Sequence, residues 1–272
     1  MRAYYLFEFC DQKWVPATAR ECLFEIMEAC NSGLRSFNGE VADAVIEIAT
    51  KEGLCTIIEL GAGRAPVTTQ LARDERADGL KLVPCDIAPN EVVYRQLASR
   101  YGGRVQPIYS SVDITQAHDL LDASVLVLAG MMHHVPFELR PKVLRALSES
   151  GSRMAMFEPL KRSFLSMFLA SLSIVPAILL PITFFRRPGR LRRFFWCWVV
   201  PVVPPMFAWD GVTSCLRQWT ASEWRQQFDR LGDSARDVQI QIGFNSLRIL
   251  WSGRNLPDRG PTGADENRKE IS

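Results

Sequence analysis

"IIELGAGRAP" (residues 57–66) decides how this chain folds. An apolar run ends in a carboxylate, Glu59, a leucine and two glycines, Gly61 and Gly63. A buried strand that turns out of a sheet reads this way, because glycine lets the backbone turn sharply and come close to a ligand. Pro66 follows at the start of a helical pattern.

Working outward, similar short apolar runs recur. "KLVPCD" (81–86), "RVQPIY" (104–109), "SVLVLA" (124–129) and "RMAMFE" (153–158) follow "CTIIEL" (55–60), most of them separated by helical patterns. Alternating buried strands and helices predict a parallel sheet with helices on both faces. Right-handed crossovers make it doubly wound. Pro84 and Pro107 weigh against two of the strands and soften their boundaries. Upstream, two helices are expected at about 17–30 and 38–50, the second ended by Gly53. Downstream, Thr220 and Glu223 form a capping box ahead of another helix. "VQIQIGF" and "SLRILWS" then supply two strands joined by a tight turn near Phe244–Asn245. The expected fold is α/β: a doubly wound, mostly parallel seven-stranded sheet with a helical N-terminal arm and a hydrophobic insertion.

The glycine loop lacks the third glycine of a dinucleotide site, since position 66 is Pro66, and no Gly-Lys-Ser/Thr run follows for a P-loop. Asp86, at the next strand end, lies 23 residues beyond Gly63, where a carboxylate can accept both ribose hydroxyls of an adenosine.

On these residues the chain resembles the class I S-adenosylmethionine-dependent methyltransferases. "ELGAGRAP" looks like their glycine-rich first motif, "CDIAPN" like their second, "YSSVDIT" like the adenine-contacting third and "VLAGMMHHVP" like the fourth. The likeness covers about residues 50–160 and resumes at about 210–252, where the last strands look like the family's reversed final hairpin. It implies S-adenosylmethionine as cofactor. By the resemblance, Glu59, Gly61 and Gly63 wrap its methionine part and Asp86, with Ile87, holds the ribose. Val112 and Asp113 meet the adenine amine, and Ala129 and Gly130 close over the sulfonium. Arg64 and Pro66 depart from the smaller residues usual in that loop.

Methyl transfer asks the protein to align acceptor and donor and, for a hydroxyl acceptor, to remove a proton. His133 and His134 are two of only three histidines and follow the fourth strand run, so either is a candidate base. Each also fits a plain helix-capping or packing role. Glu158 ends the fifth run and is a candidate for orienting the acceptor or balancing the sulfonium, as well as a simple strand-end carboxylate. An aromatic arm, Tyr4, Tyr5, Phe7, Phe9 and Trp14, suits covering the cleft or packing in a core.

After Glu158 the alternation stops. Phe164–Phe185 carries no charge over 22 residues, and Phe194–Trp209 none over 16, with Arg186, Arg187, Arg190, Arg192 and Arg193 between them. The first stretch has the length of a membrane span. Pro176 and Pro181 break its helix, and two full spans would put the arginines on the wrong side. A segment that dips into or lies on the cytoplasmic face of a membrane, arginines on anionic headgroups, is the expectation. A buried lid or a true span are the alternatives.

The chain of 272 residues is 47% hydrophobic and 23% charged with net charge +2, so no global pull toward nucleic acid is expected. Seven scattered cysteines form no pair at metal spacing, and no metal is expected. "MRAYYLFEFCDQKW" does not read as a signal peptide, which suggests a cytoplasmic domain. The expected organisation is 1–53 helical arm, 54–160 cofactor-binding core, 161–209 membrane-interface insertion, 210–253 remainder of the core and 254–272 disordered tail. The expected activity is methylation of a small hydrophobic or lipid-like acceptor at the membrane surface. The alternatives are a soluble acceptor under a hydrophobic lid, and a membrane-associated cofactor-binding protein without catalysis.

Overall fold

The computed structural model describes residues 4–31, 37–115, 124–183, 189–244 and 246–253. The tail expected to be disordered, Asn245 of the expected turn, and Arg186 and Arg187 lie outside the described residues.

Two helices, α1 (Ala17–Asn31) and α2 (Phe37–Glu52), come first. They are followed by β1 (Thr56–Leu60), α3 (Pro66–Ala72), β2 (Lys81–Cys85), α4 (Glu91–Tyr101), β3 (Val125–Ala129), α5 (Arg140–Ser148) and β4 (Arg153–Glu158). The described strands form one sheet in the order β2-β1-β3-β4-β6-β5, closed by β5 (Ala235–Ile242) and β6 (Leu247–Gly253). The first four are parallel; β6 runs antiparallel to both β4 and β5.

The alternation of strand side chains sorts the core into two layers. Ile57, Val125, Val127, Ala155 and Phe157 face α2, α3 and α4. Ile58, Leu126, Leu128, Met154 and Met156 face α5 and α10 (Ala221–Leu231). The second layer is closed by Trp224, Phe228 and Trp251, whose rings meet edge-on at 5.1 Å between Phe228 and Trp251. Burying each such side chain stabilises the fold by about 1.5–3 kcal/mol. The capping box at the start of α10 forms as the sequence indicates: Thr220 Oγ1 accepts from the Glu223 N–H, and Glu223 accepts from the Thr220 N–H at 2.7 Å.

Among the described residues the sheet has six strands rather than the seven expected. The run 104–109 lies along β2, with the Gln106 and Ile108 N–H groups donating to the carbonyls of Leu82 and Pro84. It forms only a single bridge, Leu82 with Val105. A parallel ladder would need the N–H of residue 84 to donate back on that same side, and proline has none. Pro84 is tolerated within β2 because β1 pairs on the other side.

The hydrophobic segment folds as helices: α6 (Phe164–Leu172), α7 (Ile174–Thr183), α8 (Arg190–Phe194), a π-helical turn (Phe195–Val199) and α9 (Val203–Arg217). Ser163 caps α6 by accepting from the Ser166 N–H. The chain breaks at Ser173, just ahead of Pro176, which cannot donate to the carbonyl four residues back. Pro181 is carried inside α7.

These helices join α1 in a separate apolar cluster of Val15, Cys22, Ile26, Ala177, Cys197 and Met206. Thus α1 belongs to a helical cap while α2 belongs to the sheet core, so residues 1–53 serve two layers. The expected boundary at 209/210 falls inside α9. Arg192 and Arg193 pair with Glu21 and Glu25 of α1, Arg193 at 3.0 Å from Glu25, so these two cations tie the cap together.

Candidate active site

The expected cofactor residues gather at the carboxyl ends of β1, β2 and β3. Gly61 adopts φ +63°, and a Cβ there would come within 2.7 Å of Met131 Cγ, so both the turn and the close approach need glycine. Gly63, at φ +52°, opens onto space with nothing within 4 Å of a built Cβ. Its N–H donates to Asp86 Oδ2 at 2.8 Å, while Asp86 Oδ1 accepts from the Ala88 N–H at 2.8 Å. The Val112 N–H donates to the Asp86 carbonyl, and Ser111 Oγ donates to the Ile87 carbonyl, bringing the third motif against the second. Asp113 Oδ1 accepts from both the N–H and the hydroxyl of Thr115, which holds its carboxyl below the usual range. Gly130 leaves β3 with φ +63° and donates to the Phe157 carbonyl.

Glu59 has a different setting. It is buried, and its two oxygens accept from the Val67 and Thr68 N–H groups at 3.2 and 2.7 Å. It thereby caps α3, whose N-cap residue Ala65 has no side chain that can do so. Burial pushes its carboxyl up to about 7 against those bonds.

The histidine pair lies just past β3, on a tight 3-10 turn over Met132–His134. His133 is nearly buried, with Nδ1 2.7 Å from Glu158 Oε2. Glu158 is fully buried and also accepts from the Met132 N–H at 2.8 Å and from Gln218 Nε2 at 2.5 Å. Burial raises the Glu158 carboxyl, but His133, Gln218 and the Met132 N–H outweigh it and hold it below the usual range.

His134 stacks on His133 with ring centroids 4.2 Å apart and is more exposed. Its Nδ1 lies 3.3 Å from Asp11 and 3.4 Å from Glu8. Burial lowers its pKa, but the two carboxylates win and raise it, favouring the imidazolium. The N-terminal arm thus reaches the site directly. Tyr5 donates its hydroxyl to the His134 carbonyl at 2.7 Å. Arg217, buried beneath the arm, pairs with Glu8 at 3.2 Å and Asp11 at 3.3 Å and lies over the Tyr5 ring.

Arg140 braces the turn from below. It donates to the carbonyls of Val135 and His133 and stacks on Phe137 and Trp219, and burial lowers its pKa to about 10. Glu8, His133 and His134 bring possible metal-ligand atoms within 4.8 Å of one another, a grouping that local spacing does not reveal. Arg217 already supplies positive charge against Glu8 there.

Sequence reasoning placed His133, His134 and Glu158 near one another but missed Glu8, Asp11, Arg140, Arg217 and Gln218. These stand in no motif, and the contacts of Glu8 and Arg217 bridge about 200 residues of chain.

No protein-family model matches the sequence, and no curated protein does. Solved structures do resemble it. An O-methyltransferase family protein from Burkholderia thailandensis superposes with TM-score 0.52 at 13% identity, over 83% of this chain and 58% of that one. Magnesium protoporphyrin IX methyltransferase from Synechocystis, with bound SAH, gives 0.50 at 14% identity over 85% and 93%. Human N-acetylserotonin methyltransferase, in complex with SAM, gives 0.51 at 15% over 93% and 63%. The chain spans less than two thirds of the length of the first and third of these. The fold is therefore the one that these methyltransferase structures share.

Proposed function

We propose that the chain is an S-adenosylmethionine-dependent methyltransferase acting on a small hydrophobic or lipid-like acceptor at a membrane surface. The observation that carries the reading is the open cradle at Gly63 beside the Asp86 carboxylate. An adenosine there would find an acid at the ribose position and Asp113 and Val112 at the adenine position. Gly61 and Gly63 would let the backbone approach the methionine part, with Ala129 and Gly130 beside the sulfonium. The bound cofactor supplies the activated methyl group.

The chain's own residues align the acceptor and move its proton. With Nδ1 hydrogen-bonded to Glu158, His133 leaves Nε2 to accept a proton from an acceptor hydroxyl. This tautomer is assigned from the hydrogen-bond network. His134, biased toward the imidazolium by Glu8 and Asp11, is the poorer base.

The membrane part rests on exposed apolar side chains of the cap: Phe164, Phe168 and Leu172 along α6, Leu179 on α7 and Leu191 on α8, with Phe164 77% and Leu191 75% exposed. Exposed apolar side chains of this size mark an interaction site where they share one patch. Among the described residues no single helix is long and apolar enough to cross a membrane. The pair Arg190–Val199 and Val203–Arg217 passes by length and composition together, but is bent by 81°. The ion pairs of Arg192 and Arg193 with α1 favour a lid reading of the same segment and remove two cations from the expected headgroup contact.

Calorimetry tests the cofactor. Asp86→Ala removes charge-assisted hydrogen bonds worth about 1.5–3 kcal/mol each, so S-adenosylmethionine affinity is expected to fall at least about tenfold. Unchanged affinity would remove the assignment. Vesicle flotation tests the surface: the wild type is expected to float, and Phe164→Ser with Leu191→Ser to stay behind. A wild type that ignores vesicles leaves the lid reading in place.

A further inference from the structure

Between the N-terminal arm, the start of α1 and the start of α9 lies a hollow of about 600 Å³. Its volume falls within the roughly 300–1,000 Å³ usual for ligand sites. The walls are aromatic and aliphatic: Phe7, Phe9, Trp14, Val202, Pro205 and Trp209 among them. The rings form a continuous set, with Phe7 5.7 Å and Phe9 6.5 Å from Trp209, and Phe9 5.8 Å from Trp14.

The polar edges of two lining tryptophans are already satisfied elsewhere. Trp196 Nε1 donates to Thr18 Oγ1 and Trp209 Nε1 to the Phe7 carbonyl, both at 3.0 Å. A ligand inside this hollow must therefore be apolar along its enclosed length and keep any polar group outside. Of the lining side chains, Trp14 and Trp209 remain 67% and 40% exposed, so the hollow opens onto apolar surface.

The arm connects this hollow with the histidine pair. Glu8 is extended, and neighbouring side chains on an extended chain point to opposite sides. Phe7 and Phe9 line the hollow while Glu8, between them, lies against His134. The arm is a partition one strand thick, apolar on one side and acidic on the other.

We infer that this hollow takes the hydrocarbon chain of the acceptor, a single-chain amphiphile whose polar end passes the arm toward His133 and His134. The inference rests on the lipid-like acceptor reading and gives that acceptor a site for its chain.

Tryptophan quenching by dibrominated stearate, added below its micelle concentration and without vesicles, tests it. The wild type is expected to show saturable, one-to-one quenching. Val202→Trp, at a partly exposed N-cap position, fills the hollow and is expected to weaken binding about tenfold or more, the scale of one large apolar side chain's burial. Trp14→Ala removes a wall at an exposed position and is expected to weaken binding in the same direction. Phe164→Ser with Leu191→Ser on the outer face is expected to leave it unchanged. Quenching that never saturates, or that follows the outer-face changes and ignores both hollow variants, overturns the inference. Calorimetry with S-adenosylmethionine on the same samples separates the two readings. Chain binding without cofactor binding keeps the chain site and sinks the methyltransferase; cofactor binding without chain binding does the reverse.

Discussion

His133→Ala is expected to lower methyl-transfer turnover about 10²–10⁴-fold, the usual contribution of a positioned general base. S-adenosylmethionine affinity is expected to stay unchanged. His134→Ala should cost far less, because Asp11 and Glu8 already bias that ring toward its protonated form. The contrast is the informative part. His133→Ala also takes a partner from the buried Glu158, so its melting temperature is measured beside its turnover, and a turnover loss in protein that is still folded is the expected result. Single-turnover rates at neutral pH with a saturating acceptor make the comparison. Full activity in His133→Ala would end its role as base and point to an acceptor that needs none.

Glu158→Ala is expected to lower the melting temperature by roughly 10 °C, since losing a partner of a buried pair costs about 3–5 kcal/mol. The carboxylate is fully buried and accepts three hydrogen bonds, from the Met132 N–H, His133 and Gln218. Its removal would strand three donors in the interior at once. The pH dependence has a definite sign. A carboxyl held below its ordinary value of 4.5 adds stability above that value, and the gain is lost as pH falls through the folded value. The wild type should therefore lose stability on acidification in a way that Glu158→Ala does not. A variant that melts within about 2 °C of the wild type, well under 1.5 kcal/mol at this size, would show that water or a neighbour replaces the carboxylate without cost.

The sheet was legible because its rules are local. Strand side chains alternate, and the residues that face α2 or α5 can be read off Val125–Ala129 by parity alone. The glycine loop was legible for the same reason: positive φ at Gly61 and Gly63 leaves few other residues to choose from. The run 104–109 misled because its composition is that of a strand, whereas its pairing depends on a missing N–H some twenty residues earlier, at Pro84. The site was legible only where its residues sit on strand ends. Glu8, Asp11 and Arg217 meet because α9 folds back under the arm, and no periodicity announces an ion pair between residues about 200 positions apart. The arginine stretch shows the same limit. Its composition suggests a charged face, and only the packing of α8 on α1 reveals that Arg192 and Arg193 already have partners.

Those partners lie on one stripe of α1. Glu21 and Glu25 hold the cap arginines, and Glu28 holds Arg64 of the glycine loop at 2.6 Å. At spacings of four and three residues they share a face of the helix. One helix therefore carries ion pairs to the glycine loop near its C-terminal end and to the apolar cap ahead of it. Displacing α1 would disturb both sets of ion pairs, so the glycine loop and the apolar cap share one support.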